Sequence, residues 1–354
     1  MKNLDKYLAL LNDEVDGLLL TSRYSRYYGA EYDIAEGVAI VTKAGCRYFT
    51  DSRYIEPAEN NIHDFEVLLI DRANSYFKRI NDAIADFDIK VLGYEEAYLT
   101  VAELMGYEKN LQARLTPMNT PIYNLRSVKE EWELALMRKA QSITDAAFTE
   151  VLTKIRPGMT EKELQAELIY CQLKNGADGL AFDPIVISGP NTSVPHGVAG
   201  DRVIQEGDFI TMDFGAAYKG YCSDMTRTVA VGYATDEMKE VYEIVLKAQE
   251  AALAATKSGL KGKEIDAAAR QVIADAGYGP YFGHGYGHGV GLEIHEAPNC
   301  GPASEAPMEP GNVCSAEPGI YLPGKFGVRI EDVVIFTADG YENITHSPKN
   351  LIII

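Results

Sequence analysis

FITMDFGAAYKGYCSDMTRTVAVG, residues 209–232, decides the fold of the larger part of this chain. Two runs rich in β-branched and aromatic residues flank Ala217-Tyr218-Lys219-Gly220, which reads as a hairpin turn. With Tyr218 and Lys219 as the loop, Ala217 pairs with Gly220 and, counting outward, Asp213 faces Asp224. Side chains opposed on one face have Cβ atoms about 4.5–5.5 Å apart. Two carboxylates that close repel, and Asp is a poor strand former. A divalent cation between them answers both objections. The competing arrangement has one or both aspartates in turns at strand ends.

SAEPGIYLPGKFGVRIEDVVIF, residues 315–336, repeats the arrangement around Gly324. Symmetric pairing about that glycine sets Glu317 against Glu331, with Pro318 as a point where the ladder is expected to distort. Asp332 points to the other face by alternation, and its expected setting is an exposed or capping one.

The chain has six histidines, and His284, His288 and His295 fall together in GHGYGHGVGLEIHE. His284 and His288 have the spacing of a helical zinc pair, but the glycines between and around them rule out a helix. A loop or strand that lets the backbone come close and the imidazoles converge fits better. His196 stands apart in Pro195-His196-Gly197. Four carboxylates with one or two imidazoles suit two hard-to-borderline cations, Mn²⁺ or Co²⁺ first, with Zn²⁺ or Fe²⁺ as alternatives. Two such ions activating one water is hydrolytic chemistry.

Around these stretches the chain alternates strand and helix, the pattern of an α/β (α+β) protein. GLLLT (17–21), VAIVT (38–42) and EVLLI (66–70) read as buried strands, and residues 74–88 and 100–113 as helices. Thr116-Pro117-Met118-Asn119-Thr120-Pro121 is the expected linker. Ser127-x-x-Glu130 reads as a capping box, followed by an apolar stripe through Trp132, Leu136, Ala140, Ile143, Ala147, Val151 and Ile155. KAQ…GMTEKEL (139–164) returns as KAQ…GLKGKEI (247–265), a weak internal repeat of helix, glycine-bearing turn and helix.

Lys plus Arg number 33 against 52 Asp plus Glu, a net charge of −19 over 354 residues. Such a chain repels phosphate backbones and anionic lipid, so neither nucleic acid nor membrane is an expected partner. Five cysteines, widely spaced and without a CxxC, point to a reducing compartment. Acids interrupt MKNLDKYLALLNDEVDG where a signal peptide needs an apolar core. The expected location is cytoplasmic.

Taken in order and spacing, PHG, MDFG…YCSDMTRT, GHGxGLEIHE, AEPGIY and GVRIED resemble the metal-dependent aminopeptidase family that includes aminopeptidase P, prolidase and methionine aminopeptidase. The resemblance covers about 127–354 closely and the earlier residues loosely, through RYYGAEY…EGVAIVTKAG…FTDSRYIEPA. It implies a pita-bread catalytic domain over 127–354, with two halves related by a pseudo-two-fold, behind an N-terminal α/β domain of creatinase/prolidase type over 1–120. It implies metal ligands at Asp213, Asp224, His288, Glu317 and Glu331, with Glu317 also taking a proton. His196 and His295 resemble the histidines that hold substrate and oxyanion, and Arg329 the arginine that orients the site. His284 resembles a proline-pocket histidine.

The activity so implied is cleavage of the Xaa–Pro bond at the N-terminus of dipeptides or short peptides. Aminopeptidase and dipeptidase remain open, and the short N-terminal domain favours the latter. A homodimer closing the cleft is expected, with Arg53 and Tyr24, Tyr27, Tyr28 and Tyr32 as candidate wall residues. The alternatives are a broader or methionine-type aminopeptidase, a non-catalytic peptide-binding homologue, and metal-free creatinase-like hydrolysis. The last two should show substitutions at the five ligand positions, and none is present.

Overall fold

The computed structural model describes residues 2–354, which divide into two compact units between Arg126 and Ser127. The first unit is built on a six-stranded mixed sheet. Its strands run, edge to edge, Glu66–Ile70, Cys46–Asp51, Val38–Thr42, Gly17–Leu20, Val91–Tyr94 and Arg114–Pro117. The three apolar runs read as strands are strands, and helices occupy Tyr76–Asp86 and Val101–Asn110. Leu19, Ile40, Phe49 and Leu92 pack against Ile80 and Ala83 of the first of these helices.

The expected linker is not one. Residues 114–117 pair in parallel with Val91–Tyr94 as the last strand, and Asn119–Asn124 is a short helix. Both prolines sit where the backbone spares them a hydrogen bond: Pro117 on a sheet edge and Pro121 in the first turn of a helix.

The second unit repeats one plan twice. Helices Glu131–Leu152 and Glu161–Lys174 back the first set of strands, and helices Asp236–Ala255 and Gly262–Asp275 back the second. Phe148, Val151, Leu164 and Leu168 pack on Ile210, Met212 and Val229. Val241, Val245, Ile265 and Ala269 pack on Ala316, Ile320, Val328 and Val334. Each half therefore has its own apolar seam between a helix pair and a hairpin. The KAQ repeat marks equivalent places, since Gln141 and Gln249 are both fully buried behind the strands.

Two details of the helices differ from expectation. The first helix is capped at Glu130, with Glu133 Oε2 accepting from Glu130 N at 2.8 Å, rather than at Ser127. Its buried stripe runs through Leu134, Met137, Ala140, Ile143, Ala147 and Val151, which leaves Trp132 exposed. Thr160 caps the next helix through the box with Glu163, as its sequence suggests. Among the described residues, no helix is long and apolar enough to cross a membrane.

Candidate active site

Strands Phe209–Phe214 and Met225–Ala230 pair antiparallel, but Asp213 faces Thr226 rather than Asp224. The tight turn is Lys219-Gly220, one residue later than expected, with both residues at positive φ (45° and 79°). A two-residue hairpin loop whose twist matches its strands needs that conformation twice, and glycine supplies one of the two without strain. The slip leaves Asp224 diagonal to Asp213 on the same face, just outside the strand, with its backbone N–H donating to Gln141 Oε1 at 3.3 Å.

The second hairpin keeps the register read from Gly324. Gly319 faces Arg329 in one ladder and Ala316 faces Asp332 in the next. Glu317 and Glu331 fall in the gap between the two, where Pro318 interrupts the pairing. Asp332 does point away from them, but it is neither exposed nor a cap. It is fully buried, 2.7 Å from the Arg227 guanidinium and 2.9 Å from Lys349 Nζ.

His288 lies in the strand Gly287–Gly289, between Glu296–Cys300 and Val313–Ala316. The approach is close: a Cβ on Gly287 would stand 2.1 Å from Ser315 O. The His288 ring meets His295 edge-on at 4.2 Å between centroids. Its Nδ1 bonds to Gly289 O at 3.1 Å, which fixes the proton on Nδ1 because a carbonyl only accepts. The unprotonated Nε2 then faces Glu317 Oε1 at 3.3 Å and Asp224 Oδ2 at 3.6 Å. One ligand atom each from Asp224, His288 and Glu331 lie within 4.8 Å of one another.

The electrostatics are those of a site short of positive charge. Burial, and then the neighbouring Asp213 and Glu317, push the Asp224 carboxyl well above the usual range. Burial and then Asp224 do the same to Glu331, and burial raises Glu317. Burial holds the His288 and His284 imidazoles below their ordinary values. Asp213 Oδ1 and Asp224 Oδ1 are buried without a hydrogen-bond partner among the described residues. Lone pairs thus face lone pairs in a buried space, and a hard or borderline cation is the group that satisfies oxygen and imidazole donors of this kind.

A chain of hydrogen bonds braces the centre from one side. Arg329 donates to Asp213 Oδ2 at 2.6 Å, to Thr226 Oγ1 at 3.0 Å and to Tyr321 OH at 2.9 Å. Thr226 in turn donates to Glu331 Oε2 at 2.6 Å. Since a guanidinium only donates, the Tyr321 hydroxyl is left to donate to His284 Nε2 at 2.8 Å, and His284 Nδ1 donates to Gly285 O. Both ring nitrogens of His284 are therefore engaged, and it offers a neutral ring surface to its surroundings.

All nine expected site residues line one cavity of about 690 Å³. His196 and His295 stand exposed on its wall, and Phe182, Ile185 and Ile294 give it an apolar side. Cys222, two residues before Asp224, is buried with its Sγ toward Leu292 O. In the first unit, Tyr28 is buried with its hydroxyl on Leu125 O, and Arg53 is tied to Asp51.

Sequence reading missed Thr226, Tyr321, Gln141 and Arg227. The first two lie inside the quoted motifs, Thr226 two residues after Asp224 and Tyr321 in the strand between Glu317 and Arg329. Their roles come from contacts across strands, which spacing alone does not report.

Comparison with known proteins fits this geometry. The profile of metallopeptidase family M24 matches residues 135–338, and that of the creatinase/prolidase N-terminal domain matches residues 2–128. An Xaa-Pro dipeptidase of Pyrococcus horikoshii is 36% identical over 346 residues, 96% of this chain and 95% of its own. The solved Xaa-Pro dipeptidase from Bacillus anthracis superposes with a TM-score of 0.96 at 42% identity, covering 100% of this chain and 99% of its own. The solved X-Pro aminopeptidase from Thermotoga maritima gives 0.93 at 36% identity, covering 99% of both chains. Two helix-backed halves around one carboxylate–histidine cavity, a pita-bread fold that follows a creatinase-type domain in the chain, place this chain in metallopeptidase family M24, whose members work with divalent metal ions.

Proposed function

We propose that this chain is an Xaa-Pro dipeptidase that cleaves the bond before proline in dipeptides and short peptides, using two divalent cations held by Asp213, Asp224, His288, Glu317 and Glu331. Mn²⁺ or Co²⁺ suit that donor set best, with Zn²⁺ or Fe²⁺ as alternatives. The observation that carries the reading is the unprotonated His288 Nε2 turned toward Asp224 and Glu317 beside orphaned aspartate oxygens. When bound, the cations supply Lewis acidity to the scissile carbonyl and lower the pKa of water.

The remaining steps belong to the protein. Glu317 accepts the proton of the attacking water and returns it to the leaving proline nitrogen. His295 and His196, on the cavity wall, hold the peptide and donate to the oxygen that gains charge. Arg329 keeps Asp213 turned inward by its 2.6 Å contact. His284, neutral and with both nitrogens occupied, presents a ring against which a proline ring packs.

The dipeptidase reading is preferred to the aminopeptidase one because the curated Pyrococcus horikoshii relative, which covers 96% of this chain, carries that name. We further propose a cytoplasmic homodimer in which the N-terminal domain limits substrate length. The test is metal analysis with a cleavage panel of Leu-Pro, Leu-Pro-Gly and Met-Ala-Ser. Leu-Pro cleavage that EDTA abolishes and Mn²⁺ or Co²⁺ restores supports the proposal. Full activity in metal-free protein, or a preference for Met-Ala-Ser, overturns it.

A further inference from the structure

A buried ion pair outside the metal-binding set is formed by the residue that follows His295. Lys129 Nζ stands 2.9 Å from Glu296 Oε1, and the two side chains are only 1% and 2% exposed. Glu296 follows His295 in the chain and opens the strand that pairs with Gly289, next to His288. Its carboxylate folds back inside the loop 290–295. There Oε2 accepts from Glu293 N at 3.2 Å, and a Cβ on Gly291 would lie 2.1 Å from Oε1. The same loop is tied to the first hairpin, where Cys222 N donates to Gly291 O at 2.8 Å.

Lys129 is itself held fast. Its backbone N–H donates to Gly311 O at 2.9 Å, and Asn312 Nδ2 holds Ser127 O at 2.9 Å. The ammonium is thus a fixed point and the carboxylate the part that reaches into the loop. A buried charge that loses its counter-ion must neutralise itself or move. Here the group forced to move is the one that shapes the turn ending at His295.

We propose that the Lys129–Glu296 pair is a positioning device that sets the His295 imidazole against His288 and the metal centre. The inference rests on the peptidase reading only for its kinetic consequence. Lys129→Met keeps most of the side-chain volume and removes the charge. It should lower kcat on Leu-Pro by about 10- to 100-fold, the scale of a misplacement near 1 Å, while KM changes little and metal content stays at the wild-type level. Lys129→Arg should restore most of the rate.

A second readout does not need the loaded enzyme. With six histidines in the chain, ¹⁵N-histidine spectra of metal-free protein are simple, and His295→Ala identifies the His295 signals. Those signals should shift in Lys129→Met and return in Lys129→Arg. Gly291→Ala, which crowds the Glu296 carboxylate, should move them too and covers the case in which Lys129→Met does not fold. Wild-type kcat together with unmoved His295 signals in a folded variant overturns the inference. So does a rate loss that follows only the fraction unfolded. Wild-type failure on every Xaa-Pro peptide would instead overturn the peptidase reading, leaving the spectra to decide the positioning role.

Discussion

Glu331 and Asp332 are adjacent carboxylates, and removing their charges one at a time should change the stability of the metal-free protein in opposite directions. Asp332 is paired: Arg227 at 2.7 Å is 1% exposed, and Lys349 and Asn343 also reach its carboxylate. Breaking a buried pair from one side costs about 3–5 kcal/mol. At roughly 2–4 °C per kcal/mol for a domain of this size, Asp332→Asn should lower the melting temperature by roughly 6–20 °C. Glu331 lies among other acids, and burial followed by Asp224 and Glu317 raises its pKa well above the ordinary carboxylate value.

A raised acid keeps its proton in the folded state at pH values where the unfolded chain has lost it. Stability then falls as pH rises above about 4.3, the ordinary glutamate value. Glu331→Gln escapes that penalty while still able to accept from Thr226. In EDTA at pH 7 it should therefore melt higher than wild type, with the advantage fading as pH falls toward 4. The assay is calorimetric melting of both variants across that pH range, with metal analysis beside it. Two shifts of the same sign, or an Asp332→Asn change below about 1 kcal/mol, would refute the assignment of one carboxylate to each face.

The roles proposed for the cavity histidines divide by what each side chain touches. His295→Ala should keep its metal and lose kcat by about 10²- to 10³-fold, and an unchanged kcat with raised KM would make it a ground-state contact instead. His284→Ala should reduce Leu-Pro cleavage more than Leu-Ala cleavage, because its nitrogens are engaged and only its ring is offered. Equal losses on both peptides would rule out a proline-facing role. Light scattering should give a dimer that spares long peptides, and a monomer with the same length limit would show that one chain builds the limit alone.

The parts of the site that were legible in the sequence follow from local geometry. The glycine at the centre of a symmetric turn set the register on both sides of Glu317 and Glu331, and alternation separated Glu331 from Asp332. What lay beneath Asp332 was not legible, because Arg227 is more than a hundred positions away in the numbering and meets it only across sheets. The first hairpin was misread by one residue because Tyr218-Lys219 and Lys219-Gly220 are both acceptable turns on paper. Only the positive φ at Lys219 and Gly220 separates them. The prolines at 117 and 121 misled for a related reason: an edge strand and a helix start tolerate proline as well as a linker does.

The carboxylates come in two pairs, one from each half of the repeat, and this bears on how the protein would be handled in practice. Ions bound as proposed would join Asp213 to Glu331 as a cross-link closing the long loop of residues 213–331, a constraint of the kind that gains most when the loop is long. Stripped of metal, the two halves keep their separate apolar seams but hold a knot of mutually repelling acids where they meet. Proteolysis should therefore report metal occupancy. Loaded protein resists a protease along the junction, and stripped protein is cut there while each helix-backed half persists as a fragment, so a gel would reveal partial metal loss in a preparation before any activity assay is run.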